Sequence, residues 1–170
     1  MRKERAYTLL EILIIVALLL IFLSIGIPMA IKIYRTYKFK NYAIQLQSLA
    51  NLARVKAIEK GDYIWICLEK AGFTDVCSEG NCKVTVYDVG DCSNLSNCPQ
   101  KTLIKSMLIP ESWVELSKTT GLNAECLIFN PHGVANINGS ICISNGKNFY
   151  KLILQQGRSI INETTGPGGC

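Results

Sequence analysis

The side chains able to do chemistry in this 170-residue chain are few, and their spacing does not suit catalysis. The one histidine, His132, sits in the turn-like run Asn130-Pro131-His132-Gly133 and has no second metal ligand at helical or strand spacing. It reads as a loop residue. No G-x-S-x-G, P-loop or H-E-x-x-H motif occurs. Eight cysteines all lie beyond residue 66, none in the C-x-x-C spacing of thiol redox catalysis. Cys77, Cys82, Cys92 and Cys98 are separated by four, nine and five residues, a poor match to a zinc site. This inventory argues against an enzyme and indicates no metal and no cofactor. The residue that stands out is Glu11, the single carboxylate of an apolar run. From Leu9 to Ile27 only Glu11, Ser24 and Gly26 interrupt the apolar character. A carboxylate inside such a run costs about 2.5–3.5 kcal/mol on insertion scales, which marks it as functional, with a partner to be named.

The run has the roughly 20 apolar residues that a helix needs to cross a bilayer. A cleaved secretory signal would need a shorter apolar region and a better small-residue site than IGIPMA. A plain membrane anchor accounts for the length but leaves Glu11 without a reason. The basic head (Arg2, Lys3, Arg5) favours a cytoplasmic N-terminus, while Lys32, Arg35, Lys38 and Lys40 on the far side weaken that bias. After Pro28 a helical pattern resumes, with Ile31, Tyr34, Tyr42, Leu46, Leu49, Ala53 and Ala57 at three- and four-residue steps. It should stop near Lys60, with Gly61 as the C-terminal glycine. From Tyr7 to Lys60 such a helix is roughly 80 Å long. Its basic face is either solvated or turned to anionic headgroups or neighbouring subunits.

Beyond Gly61 the period becomes strand-like. YIWICLE, KVTVYDV, TLIKSMLI, WVELS, ECLIFN, SICIS and FYKLILQ are short runs rich in β-branched and aromatic residues, broken by Gly, Asn, Pro and Ser. They predict an antiparallel sheet or sandwich packed on the long helix, an α+β fold. The stretches 70–83 and 90–101 read as polar loops stapled by cysteines. In an oxidising compartment all eight cysteines would be paired, and most of the 105 pairings stay open. One pair is suggested: ECLIFNPHGVANINGSICIS reads as a hairpin centred on Val134, which places Cys126 opposite Cys142. The tail after Asn162, ETTGPGGC, reads as turn-like and mobile unless Cys170 ties it down. From Tyr63 onward eight basic residues meet nine acidic ones, a balance of −1, so the net charge of +5 belongs to the N-terminal part. The β-rich part is no polycation.

Two stretches carry a family resemblance. AYTLLE resembles the processing site of type IV prepilins and pseudopilins, with Ala6 where the family usually has Gly and Tyr7 where it usually has Phe. LIFNPHGVANINGSICISNGKNFYKLILQQGRSII is similar to the closing region of the GspH/FimT family of minor pseudopilins, through Phe129, Asn130, Pro131, Gly133, Gly139, Asn145, Gly146, Gly157 and Arg158. The resemblance implies that a prepilin peptidase cuts between Ala6 and Tyr7 and that the new amine is methylated. It further implies that Glu11 pairs with the Tyr7 amine of a neighbouring subunit, so that each buried charge meets its opposite. Pro28, loosened further by Gly26, falls where the family kinks its helix. On this reading residues 1–6 are the leader, 7–28 the transmembrane helix, 29–61 its periplasmic continuation and 62–170 the β-rich head. The chain would be a structural subunit of a type II secretion pseudopilus or type IV pilus. It would stand in the inner membrane with its head periplasmic or extracellular, and its partners would be other pilin or pseudopilin subunits, the peptidase and the membrane. The alternative is DNA capture. FimT-like members resemble DNA receptors through a Gly-Arg-x-Arg stretch, but here Gly157-Arg158-Ser159-Ile160 lacks the second arginine. Lys147, Lys151 and Arg158 are then the candidate phosphate contacts, since few charges suffice for weak, salt-sensitive binding. A membrane-tethered thiol-redox protein is a third possibility, which a thiol count would decide.

Overall fold

A computed structural model describes residues 8–69, 76–77, 82–92, 98, 101–119, 126–135, 139–155 and 158–165. Among the described residues one helix, α1 (Leu9–Lys60), is followed by nine strands: β1 (Ile64–Glu69), β2 (Val76–Cys77), β3 (Cys82–Asp88), β4 (Thr102–Ile109), β5 (Glu115–Thr119), β6 (Cys126–Phe129), β7 (Gly139–Ser144), β8 (Asn148–Gln155) and β9 (Arg158–Thr165). The chain forms two compact units, Met1–Lys38 and Phe39–Cys170.

The helix starts at a cap legible in the sequence. Thr8-Leu9-Leu10-Glu11 has the spacing of a capping box, and the Glu11 N–H donates to the Thr8 carbonyl (3.0 Å) and to Thr8 Oγ1 (3.3 Å). Within the apolar stretch the Ser24 hydroxyl donates to the Ile21 carbonyl (2.7 Å), so it carries no unmet hydrogen bond there. The helix runs on through Pro28. The helix ends where Gly61 takes φ 71° and its N–H closes a last turn on Ala57 (2.9 Å), as the sequence predicts.

In the second unit all strand pairs are antiparallel, in two sheets ordered β4-β3-β1-β6 and β2-β5-β7-β8-β9. One core joins them to the helix: Phe39, Tyr42, Ala43, Leu46, Leu49, Ala50, Ala53 and Ala57 pack with Ile64, Ile66, Val84 and Val86 of the first sheet and Leu116, Ile141, Ile143, Leu152 and Leu154 of the second. The alanines bring helix and strands close; Phe39 stacks at a tilt on Tyr150, centroids 5.2 Å apart. The predicted stripe holds from Tyr42 onward, whereas Ile31 and Tyr34 belong to the other unit and are exposed. β1 is buried on both faces, because its alternate residues Trp65 and Cys67 join a smaller cluster with Val89, Cys126 and Ile128. A strand buried on both faces is a central one and needs two neighbours.

That need explains the main departures from the sequence reading. β6 pairs with β1, in the register Ile64↔Phe129 to Cys67↔Cys126, and not with β7. The bridge Phe129↔Ala135 closes a short turn centred on His132, two residues earlier than the expected hairpin centre, and β7 then joins the other sheet between β5 and β8. The expected Cys126–Cys142 disulfide is therefore wrong: Cys126 is bonded to Cys67, directly across the β1–β6 ladder. The first three residues of the expected tail, Glu163, Thr164 and Thr165, are strand and not turn, while residues 166–170 lie outside the described residues. β9 continues past Asn162, with Tyr150↔Glu163, Phe149↔Thr164 and Asn148↔Thr165 in register, since an eight-residue β8 offers a ladder that long. Finally, the loop 70–83 contains β2, which pairs with β5.

Candidate functional site

From Thr8 to Tyr37 every residue of the helix is exposed, including its Leu, Ile, Val and Phe side chains. Apolar exposure of this extent marks an interaction surface, and the helix is long and apolar enough to cross a membrane. Glu11 lies at the start of this surface, in the first helical turn, where a negative charge also meets the positive end of the helix dipole. The Thr8 cap is a signal the sequence reading overlooked: its hydroxyl and carbonyl oxygens accept the Glu11 N–H at the start of the helix. Ala6 and Tyr7 lie outside the described residues. Gly26 and Pro28 are both inside the exposed helix, and a Cβ on Gly26 would meet nothing within 4 Å.

The candidate phosphate contacts do not converge. Lys147 is exposed in the turn between β7 and β8, and Lys151 is half-buried on β8, opposite Cys142 and Asn162. Arg158 stands at the other end of β8, opposite Gln155. At about 3.3 Å per residue, Lys151 lies roughly 13 Å from each end position, and those ends are roughly 26 Å apart. The turns themselves are built by asparagine. Asn145 Oδ1 accepts the N–H groups of Lys147 (3.0 Å) and Asn148 (2.7 Å), with Gly146 at φ 78°. Asn130 Oδ1 likewise accepts from His132 (3.1 Å) and Val134 (2.9 Å). His132 is thus an exposed turn residue, as expected from its motif. Gly133 is buried beneath it, and a Cβ there would come within 2.6 Å of Ile58 Cδ1.

Two disulfides staple the outer face of the first sheet. Cys67–Cys126 is buried beside Trp65, and Cys92–Cys98, closing a six-residue separation, packs its two cysteines on the same cluster. Cys82 and Cys142 are disulfide-bonded too, so no described cysteine is a free thiol. Where helix meets sheet, Lys60 Nζ donates to Asp88 Oδ2 and the Gly90 N–H donates to Asp88 Oδ1 (3.1 Å). Burial alone would raise the Asp88 carboxyl, but the Lys60 and Gly90 hydrogen bonds and the Lys60 charge together hold it below its ordinary value. The hydrogen bond to Asp88, and then its charge, raise Lys60. Further along, Tyr42 Oη donates to Glu111 Oε2, tying the start of the packed helix to the β4–β5 connection.

A helix uncovered and apolar in its first part, and in its second part built into a head of antiparallel sheets, defines a pilin-like protein. Residues 43–160 match the family model described as Type II transport protein GspH. The chain belongs to that family, the GspH/FimT-like minor pseudopilins. Among solved structures it is similar to the type IV minor pilin FimU of Pseudomonas aeruginosa, at 14% identity and a TM-score of 0.56, over 79% of this chain and 98% of that one. The minor pseudopilin EpsH from the Type 2 Secretion System of Vibrio cholerae also matches, at 12% identity and a TM-score of 0.49, over 76% of this chain and 98% of that one. No curated protein sequence matches. The family match begins at residue 43, so it leaves Ala6, Tyr7, Glu11, Gly26 and Pro28 outside it and includes Lys147, Lys151 and Arg158.

Proposed function

We propose that this protein is a structural, non-catalytic minor pseudopilin. A prepilin peptidase removes the leader between Ala6 and Tyr7, and the helix then anchors the subunit in the inner membrane with the β-rich head on the far side. Glu11 pairs with the Tyr7 amine of a neighbouring subunit and guides the helix out of the bilayer into a pseudopilus or pilus. The observation that carries this reading is the wholly exposed apolar surface from Leu9 to Ile33, on a chain whose head matches the GspH family. A bilayer covers such a surface before assembly, and other subunits' helices cover it afterwards. Intact-mass measurement with and without the peptidase tests the first step: the six leader residues should be lost, and Ala6→Arg should keep them. An unchanged mass in the wild type would place the cut elsewhere or nowhere. Glu11→Ala should be processed normally yet be missing from filaments by crosslinking or microscopy. Normal incorporation would refute the pairing. DNA capture is the weaker reading, because the three cations are spread along β8 and the head carries no net positive charge.

A further inference from the structure

We propose that Lys32, Arg35 and Lys38 form a docking ridge for anionic phospholipid headgroups, on the leaflet from which the head emerges. The inference rests on the membrane-span reading above and adds to it the class of lipid. At three-residue steps on one helix, these cations lie along a single inclined row, and Tyr34 and Tyr37 form the row beside it. Lys32 and Arg35 are exposed, and Lys38 Nζ sits over the Tyr34 ring, 5.4 Å from its centroid. Tyr34 and Tyr37 are 61% and 71% exposed, which suits the amphipathic interface of a bilayer better than water.

Three physical arguments favour lipid over solvent. The first is charge balance: between Glu11 and Glu59 the sequence has no acidic residue, so this helix offers the exposed Lys32 and Arg35 no carboxylate at three- or four-residue spacing. The second is depth. From Leu9 to Ile31 the helix covers about 34 Å, a little more than the roughly 30 Å of a hydrocarbon core. Lys32 therefore falls at the edge of that core, with Arg35 about 4.5 Å and Lys38 about 9 Å further out. The third is range: these depths are within about one Debye length of the phosphates at physiological salt, roughly 8 Å, where a basic residue gains most from an anionic surface. A basic flank on the translocated side runs against the usual orientation bias, and headgroup binding gives it a purpose.

The test uses the full chain, reconstituted into vesicles of equal parts phosphatidylcholine and phosphatidylglycerol. Patches are then cut out with a styrene–maleic acid copolymer and their retained lipids quantified. At low salt the wild type should retain phosphatidylglycerol in at least about a twofold excess over the bulk, given roughly a fivefold preference per charge at contact. The excess should fade in about 1 M salt, where screening acts within about 3 Å. Lys32→Gln/Arg35→Gln/Lys38→Gln should retain the bulk ratio, and Lys32→Arg/Lys38→Arg should keep the excess; Gln, Lys and Arg have similar helix propensities. An equal ratio in the wild type and the Gln variant overturns the inference, as does crosslinking of the ridge to an acidic surface of a second subunit without any lipid excess. Alkaline carbonate extraction separates the two levels. A chain that is stripped from the vesicles overturns the membrane span and this inference together, whereas one that stays inserted without lipid preference overturns this inference alone.

Discussion

Replacing Cys67 and Cys126 together by alanine should cost the head about twice as much stability as replacing Cys92 and Cys98. Both bonds act largely by restricting the unfolded chain, and that restriction grows with the loop closed. Cys67–Cys126 spans a sequence separation of 59 and Cys92–Cys98 one of 6. In the chain-entropy model the first is worth about 4 kcal/mol and the second about 2 kcal/mol. The first loss is a large part of the roughly 5–15 kcal/mol by which a domain of this size is stable. Alanine is the right replacement because both positions are buried and a serine hydroxyl there would add a desolvation cost. The assay is guanidinium unfolding of the unit from Phe39 to Cys170, followed by the fluorescence of its two tryptophans, of which Trp65 lies against the first bond and Trp113 against the main core. With a slope of about 4 kcal/mol per molar, the midpoints should fall by about 1 M and about 0.5 M respectively. Equal losses, or a larger loss for Cys92→Ala/Cys98→Ala, would refute the loop argument. Peptide mapping that joined Cys126 to Cys142 would refute the strand order itself.

Gly133→Ala should destabilise the head by about 2 kcal/mol or more, since it adds a Cβ at φ 70° and within 2.6 Å of Ile58 Cδ1. Ile58→Ala in the same chain should recover the contact part of that loss and leave the backbone part, as a double-mutant cycle in denaturant would measure. The Asp88 carboxyl is held low and the Lys60 ammonium high in the folded state. Asp88's contribution should therefore be present above the ordinary carboxylate pKa of about 3.9 and be lost as the pH falls through its depressed value; Lys60's should be present below about 10.4 and be lost as the pH rises through its raised value. Asp88→Asn should flatten the acid limb, and an unchanged melting profile across that limb would show that the pair contributes nothing. A DNA titration of the oxidised head at two salt concentrations should show no saturable binding. Salt-sensitive binding abolished by Arg158→Ala would instead revive DNA capture.

Local signals in the sequence determined much of this protein. Continuous apolarity from Leu9 to Ile27, with one carboxylate, marks the exposed helix, and Gly61 marks its end through the left-handed turn that only glycine enters without strain. Asn145-Gly146 fixes the β7–β8 hairpin, and TLIKSMLI is β4 residue for residue. These features depend on neighbours a few residues away. The tertiary structure alone decided which strand meets which. Cys126 and Cys142 looked like opposite arms of one hairpin, yet β1, with Ile64 and Ile66 facing one core and Trp65 and Cys67 another, drew β6 to its side and left β7 to the second sheet. Partners from β1 to β6 are some 60 positions apart, and no local pattern encodes a pairing at that range. The same holds for Lys147, Lys151 and Arg158: close in sequence, they are spread along β8 because an extended strand separates what a helix or turn would gather.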